Sequence, residues 1–403
     1  LELNCGARRD FARRKPAVNG SEMDAFPFLD ADHLELRGRV RAWAEANLIG
    51  AAIDDSDIEQ QARRLVRELG QAGYTRYVVP KAYGGVRPTV HARDLCILRE
   101  ELARGSSLAD TMFAMQALGS YPITLAGSEE QKARYLPKVA GGEAIAAFAI
   151  TEPEAGSDVA SLKTQAARRG TQYCLTGTKR FISNAGIADH YVVFASTQPE
   201  KRAKGVSAFI VDATAPGLVL KEKTAVVSPH PIGVIAFEEC LVSESARLGA
   251  EGEGLTLALR TLDTLRCTVA AAAVGLAQRG LDEAVGYARE RQQFGRPIAQ
   301  FQGIQFKLAE MATELEAARL LVRQAAWAND RASPDLKQKA SMAKLFATEA
   351  AQRIIDQALQ IHGGVGLVTG HIAERLYRDI RALRIYEGTS EIQKLVIARE
   401  LVR

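Results

Sequence analysis

The stretch "RIYEGTSEIQ" (384–393) sets one carboxylate, Glu387, between the ring of Tyr386 and the glycine Gly388. A glutamate in that setting has an ordinary use. As a helix-mouth charge it would precede Thr389 and Glu391, which have the spacing of a helix start. Any use beyond a cap has to come from what the rest of the chain brings to it.

Four further stretches carry residue types suited to holding a ligand. "AITEPEAGSDVASLKT" (149–164) joins an apolar run to a turn with Thr151, Gly156 and Ser157. "RFISNAGIADHYVVFA" (180–195) sets Phe181 and Ser183 two apart, which on a regular strand turns both to one face. "RQQFGRPIAQFQ" (291–302) places Arg291 and the amides of Gln292, Gln293 and Gln302 beside a helix break. "QIHGGVG" (360–366) supplies glycines where a flat or anionic ligand can approach the backbone closely. Each stretch alone also fits an everyday structural use, as turn, surface charge or cap.

Other chemistries lack their signatures. The glycine-rich "GGVGLVTG" (363–370) follows a helical pattern and has no preceding strand or G-x-G-x-x-G spacing, so it is not a dinucleotide fingerprint. There is no phosphate loop of the NTPase type, no H-E-x-x-H and no G-x-S-x-G elbow. His33, His91, His190, His230, His362 and His371 form no metal-ligand spacing, so no metal is expected. A net charge of +4 over 403 residues argues against a dedicated nucleic-acid binder. No apolar run is long enough for a membrane span. Five scattered cysteines without a C-x-x-C pair fit a reducing compartment.

The elements that position these residues change texture twice along the chain. Apolar residues recur at three and four between about 31 and 140, as in "DLCILREELAR". From about 144 to 248 short β-type runs follow one another: "AIAAFAI", "YCLTGTKRFIS", "YVVFAS", "VSAFIV" and "VIAFEECLV". Long helical stretches then return, broken at Gly295–Pro297 and ended by glycine after "LKQKASMAKLFATEAAQRIIDQALQIHGG". The expected units are an extension over 1–22, then 23–143, 144–250 and 251–403. The extension carries Arg8, Arg9, Arg13, Arg14 and Lys15 and no apolar core. It reads as a disordered segment ahead of Met23, with a basic transit segment as the alternative. The first reading places the protein in the cytoplasm, the second in the mitochondrial matrix.

Together these stretches resemble the acyl-CoA dehydrogenase family of flavoproteins, through T-E-P-x-A-G-S-D, R-x-Q-F-G-x-P-I, Q-x-x-G-G-x-G and Y-E-G-T-S-E-I. The resemblance covers nearly the whole chain beyond residue 30. It implies an α+β fold, mainly α: an N-terminal helical domain, a middle β-barrel-like domain and a C-terminal four-helix bundle. It also implies FAD, an acyl-CoA substrate, an electron-transferring flavoprotein as acceptor, and a homotetramer.

By resemblance, Glu387 removes the α-proton of the thioester while a β-hydride passes to flavin N5, and the Glu387 N–H helps hold the developing oxyanion. Phe148, Ile150 and Thr151 match one edge of the flavin site. Phe181 and Ser183 match the other, where many relatives have Trp and Thr. Arg291 and Gln293 match residues that reach a neighbouring subunit's FAD, with Phe301 and Gln302 beside them. Gln360, Gly363 and Gly364 match a pyrophosphate loop, and Thr389 and Glu391 match adenosine-side contacts. Ser157, Asp263, Arg266, Tyr386 and Gly388 match substrate positions, with a structural ion pair as the alternative use of Asp263 and Arg266. Asp110, Ala114, Met115, Leu118 and Val269 are acyl-pocket positions. Asp110 is unexpected beside an alkyl chain and reads equally as a solvated residue at the rim. Leu265 stands where some relatives place an alternative base. An acyl-CoA oxidase and a non-catalytic flavin- or CoA-binding scaffold are the competing functions.

Overall fold

The computed structural model describes residues 28–50 and 57–402. The expected extension over 1–22, Met23 and Cys5 lie outside the described residues. Five helices come first: α1 (Ala31–Asn47), α2 (Ile58–Gln71), α3 (Ala92–Gly105), α4 (Ser107–Ala126) and α5 (Glu129–Ala140). Side-chain caps fix where α4 and α5 begin. The Ser106 hydroxyl accepts from the Ala109 N–H to start α4, and Ser128 and Gln131 form a reciprocal capping box at α5.

Eight strands then form one sheet: β1 (Ala146–Ala149), β2 (Gln165–Arg169), β3 (Gln172–Ser183), β4 (His190–Ser196), β5 (Val206–Asp212), β6 (Leu218–Lys223), β7 (Ile232–Ser243) and β8 (Arg247–Leu248). Their order is β6-β7-β3-β2-β4-β5-β8, with β1 paired in parallel to β4. The five β-type runs of the sequence correspond to β1, β3, β4, β5 and β7. The sequence pattern does not disclose β2 or β6, because "QAARR" and "LVLKEK" are mostly charged or exposed and lack alternation.

The chain returns to helix in α6 (Gly254–Glu290), α7 (Gln302–Asp330), α8 (Leu336–His362), α9 (Ile372–Leu383) and α10 (Ser390–Leu401). The helix α6 ends before the expected break. After it comes a two-residue hairpin, β9 (Gln292–Gln293) against β10 (Arg296–Pro297), turned by Phe294 at φ 52° and Gly295 at φ 76°.

The helix α3 belongs to two cores at once. Leu95, Leu98 and Leu102 join the core shared with the sheet, while Ala92, Cys96 and Ala103 join the core of the C-terminal helices. Ala92, Cys96, Arg99 and Ala103 fall on one helical face, so Arg99 is aimed at α6. Small residues bring α3 and α6 close: a Cβ on Gly275 would lie 2.1 Å from the Glu100 carbonyl oxygen. Helix propensity alone would favour Gly275→Ala by up to about 1 kcal/mol. Here backbone crowding decides the sign, and the variant should lose about 1–3 kcal/mol, read as a lower midpoint in denaturant or heat. A neutral or stabilising result would mean the two helices separate at little cost.

Candidate active site

Glu387 lies in the turn between α9 and α10, and it is not the cap. Thr389 is the N-cap of α10, its hydroxyl accepting from the Ile392 N–H at 3.3 Å. The capping alternative for this stretch therefore belongs to Thr389. The turn is strained, with Glu387 at φ 53° and Gly388 at φ 92°. A left-handed conformation costs a non-glycine residue about 1–2 kcal/mol, so the surroundings must hold it.

Two side chains do so. Lys344 of α8 donates from Nζ to the carbonyls of Tyr386 (3.1 Å) and Gly388 (2.6 Å). Gln393 of α10 donates from Nε2 to the carbonyls of Gly388 (2.9 Å) and Glu387 (3.4 Å). The same Gln393 explains the glycine, since a Cβ on residue 388 would sit 2.6 Å from Nε2.

Glu387 as a whole residue is half-buried, but Oε2 of its carboxylate is shut off from solvent and has no hydrogen-bond partner. Burial pushes its carboxyl pKa up. Arg99, Lys344 and Arg266 oppose that push, in that order, and Asp110 adds to it. Burial in turn pulls the Lys344 ammonium down to about 8, against the attraction of Glu387. Burial also pushes the Tyr386 phenol up, against Arg99.

Asp110 is not a solvated rim residue. It is 3% exposed and grips Arg99 with both oxygens, Nε to Oδ1 and Nη2 to Oδ2, each at 2.8 Å. Arg99 completes its bonding by donating from Nη1 to the Thr268 hydroxyl at 3.0 Å. Asp263 and Arg266 pair at 2.7 Å along α6, and Arg266 is also one of the cations facing Glu387. Among the acyl-pocket positions, Met115 and Val269 are buried, Ala114 and Leu118 half-buried, and Leu265 is also buried.

The two expected flavin edges come together. Phe148 is buried at the end of β1, against Phe194. The chain then passes through Ile150, whose carbonyl accepts from Lys179 Nζ, and Thr151, whose carbonyl accepts from the Arg180 N–H at 2.9 Å. Phe181 and Ser183 do not share a face by plain strand alternation. The register of β3 against β7 shifts between Lys179 and Ile182, and Phe181 stands in that bulge at φ 55°, half exposed. The Ser183 hydroxyl contacts His230 Nε2 at 3.1 Å. Ser157 is exposed in its turn.

The remaining candidates form a second group. Arg291, Gln293, Gln302, Gln360, Gly363 and Gly364 are exposed, and Phe301 is half-buried beneath the Arg296 guanidinium. Tyr287, near the end of α6, stacks on His362 at the end of α8 at 4.5 Å and so joins the hairpin to the glycine loop. A Cβ on Gly363 or Gly364 would meet nothing within 4 Å. Glu391 is exposed.

Sequence reasoning missed Arg99, Lys344, Gln393 and His230. A signal existed for two of them. Arg99 is a charge on the apolar face Ala92–Cys96–Ala103, and Lys344 is a charge on the buried stripe of Ala340, Ala347 and Ala351. Gln393 and His230 carry no comparable mark.

Models of all three acyl-CoA dehydrogenase domains match the chain: N-terminal over residues 30–143, middle over 147–240 and C-terminal over 252–402. The chain belongs to the acyl-CoA dehydrogenase family and is an enzyme of that class. It is 41% identical to the 3-(aryl)acrylate reductase of Clostridium sporogenes, over 93% of this chain and 100% of that protein. It is 42% identical to the human short-chain specific acyl-CoA dehydrogenase, over 93% of this chain and 91% of that one. The butyryl-CoA dehydrogenase structure from Megasphaera elsdenii superposes with a TM-score of 0.86 at 32% identity, covering 93% and 99% of the two chains. Among the described residues no helix is long and apolar enough to cross a membrane.

Arg99→Gln removes the leading cation that opposes the upward push on Glu387, and it leaves Asp110 without its partner. Both changes disfavour the Glu387 carboxylate, so its pKa should rise further. Difference infrared spectroscopy against Glu387→Gln should find the protonated carboxyl persisting to higher pH in the variant. An unchanged titration would mean that the Arg99 charge does not act on Glu387.

Proposed function

We propose that the protein dehydrogenates an acyl-CoA thioester to the trans-2-enoyl-CoA, with Glu387 as general base. The observation that carries this reading is a buried carboxylate oxygen with no partner, raised in pKa and faced by three cations. An α C–H beside a thioester is a weak acid. Its removal needs a base that is strong and still ionised, which burial and nearby cations together provide. As the proton leaves, negative charge builds on the thioester oxygen. No described residue accepts a hydrogen bond from the Glu387 N–H, so it remains open for that oxygen.

FAD is the cofactor of this enzyme class, and the residues present fit it. Phe181 offers a half-exposed ring beside the Ser183 hydroxyl, and the exposed Arg291 guanidinium suits a pyrophosphate. The open backbone at Gly363 and Gly364 allows close approach. Phe148, Ile150, Thr151, Phe181, Ser183, Thr389 and Glu391 would hold FAD within one protomer. Arg291, Gln293, Phe301, Gln302, Gln360, Gly363 and Gly364 would hold that of a neighbour, within a homotetramer. Bound FAD supplies the two-electron acceptor, and an electron-transferring flavoprotein is the proposed onward partner. Ser157, Asp263, Arg266, Tyr386 and Gly388 are the proposed acyl-CoA contacts. The base argues against a scaffold, which has no use for one. Oxygen exposure after anaerobic reduction separates dehydrogenase from oxidase.

Glu387→Gln keeps shape and backbone but removes the proton acceptor. Flavin reduction by acyl-CoA should slow by about 10²–10⁴-fold or more while substrate analogues still bind. With Leu265 where some relatives place a base, no second carboxylate can substitute. Near-normal reduction would remove Glu387 from the chemistry.

Arg291→Ala tests the assignment to a neighbour's cofactor. Purified variant should lose FAD on gel filtration more readily than wild type, with a weakened oligomer. A monomer retaining full FAD would sink it.

A further inference from the structure

Lys344 is fully buried, yet its two hydrogen bonds go to backbone carbonyls rather than to a carboxylate. Burying an ammonium is costly, and a neutral amide can tie down a carbonyl without that cost. Gln393 already does this for Gly388, so the carbonyl that Lys344 alone engages is that of Tyr386. That carbonyl belongs to the same peptide unit as the Glu387 N–H. In a planar trans peptide the C=O and N–H point in opposite directions. A cation on the oxygen side therefore fixes the direction in which the N–H is presented. It also withdraws density through the conjugated unit and makes the N–H a stronger donor.

We propose that Lys344 is a positioning residue that orients and polarises the Tyr386–Glu387 peptide, so that the Glu387 N–H acts as a strengthened donor to the thioester carbonyl oxygen. This rests on the function proposed above, because it assumes a thioester at that N–H. The geometry separates two tasks within one turn. Gln393 holds the carbonyls of Glu387 and Gly388, which keeps the strained backbone in place. Lys344 shares Gly388 with it and adds the charge on Tyr386.

The test uses holoenzyme and cinnamoyl-CoA, a chromophoric thioester whose absorbance moves to longer wavelength when its carbonyl is polarised. Wild-type protein should produce that red shift on binding. Lys344→Met should lose most of it, and flavin reduction by butyryl-CoA should slow about 10-fold or more. Gln393→Leu loosens the same turn but leaves the Tyr386 carbonyl engaged, so it should keep the shift. FAD content and thermal midpoint identify folded protein. If Lys344→Met does not fold, Lys344→Gln, which keeps a donor without the charge, takes its place and should show a smaller shift than wild type. A full red shift in the Lys344 variant, or equal loss in the Lys344 and Gln393 variants, overturns the proposal. A wild-type enzyme that gives no shift and is reduced by no acyl-CoA overturns the function itself, and the two failures are thus distinct.

Discussion

Everything at this site depends on burying one carboxylate without neutralising it. A lone carboxyl taken out of water gives up its charge, and its pKa climbs until it does. Glu387 is kept from that extreme by charges brought from three separate helices: Arg99 from α3, Arg266 from α6 and Lys344 from α8. None of the three forms an ion pair with it, so Oε2 of its carboxylate remains buried without a bonded partner. The cations act at a distance through a medium of low dielectric, where charge matters more than contact.

That requirement explains why the helices are packed so tightly. Arg99 can reach the site only because α3 is shared between two cores, with Gly275 letting α6 approach its backbone. Its charge is itself a liability. A single buried guanidinium would be strongly destabilising, and Asp110 with the Thr268 hydroxyl meets its donors in a near-ideal geometry. The same Asp110 works against the carboxylate ion, so Arg99 and Asp110 together moderate each other at Glu387. An apolar pair of similar volume could fill the space, but it would give up this adjustment of the Glu387 carboxyl.

The order of helix, sheet and helix was readable from periodicity, and five of the eight sheet strands announced themselves as β-rich runs. Local pattern also located Glu387, its glycine and the hydroxyl cap. What could not be read was three-dimensional partnership. Asp110 looked solvated because its partner Arg99 lies eleven residues earlier, on the other side of a helix junction, and only folding closes that gap. The bulge at Phe181 was hidden for a related reason. Strand alternation is a property of regular pleating, and nothing in "KRFIS" marks the residue that leaves it. The second group of candidates differs again. Most of its residues are exposed, so packing within the chain does not report what they do.

The sheet and the helix that precedes the Glu387 turn are also linked, through a chain of hydrogen bonds. Ser183 contacts His230 Nε2, the His230 Nδ1 lies 2.9 Å from the Ser228 carbonyl, and the Ser228 hydroxyl donates to Asp379 of α9 at 2.8 Å. A carbonyl can only accept, so Nδ1 carries the proton. Burial lowers the His230 pKa, which favours the neutral ring. Nε2 is then an acceptor, and the Ser183 hydroxyl must donate to it. The proton of Ser183 is thereby committed inward, and its oxygen faces any ligand as an acceptor alone. His230 thus fixes both the position of the sheet against α9 and the hydrogen-bond polarity of the surface that the sheet presents.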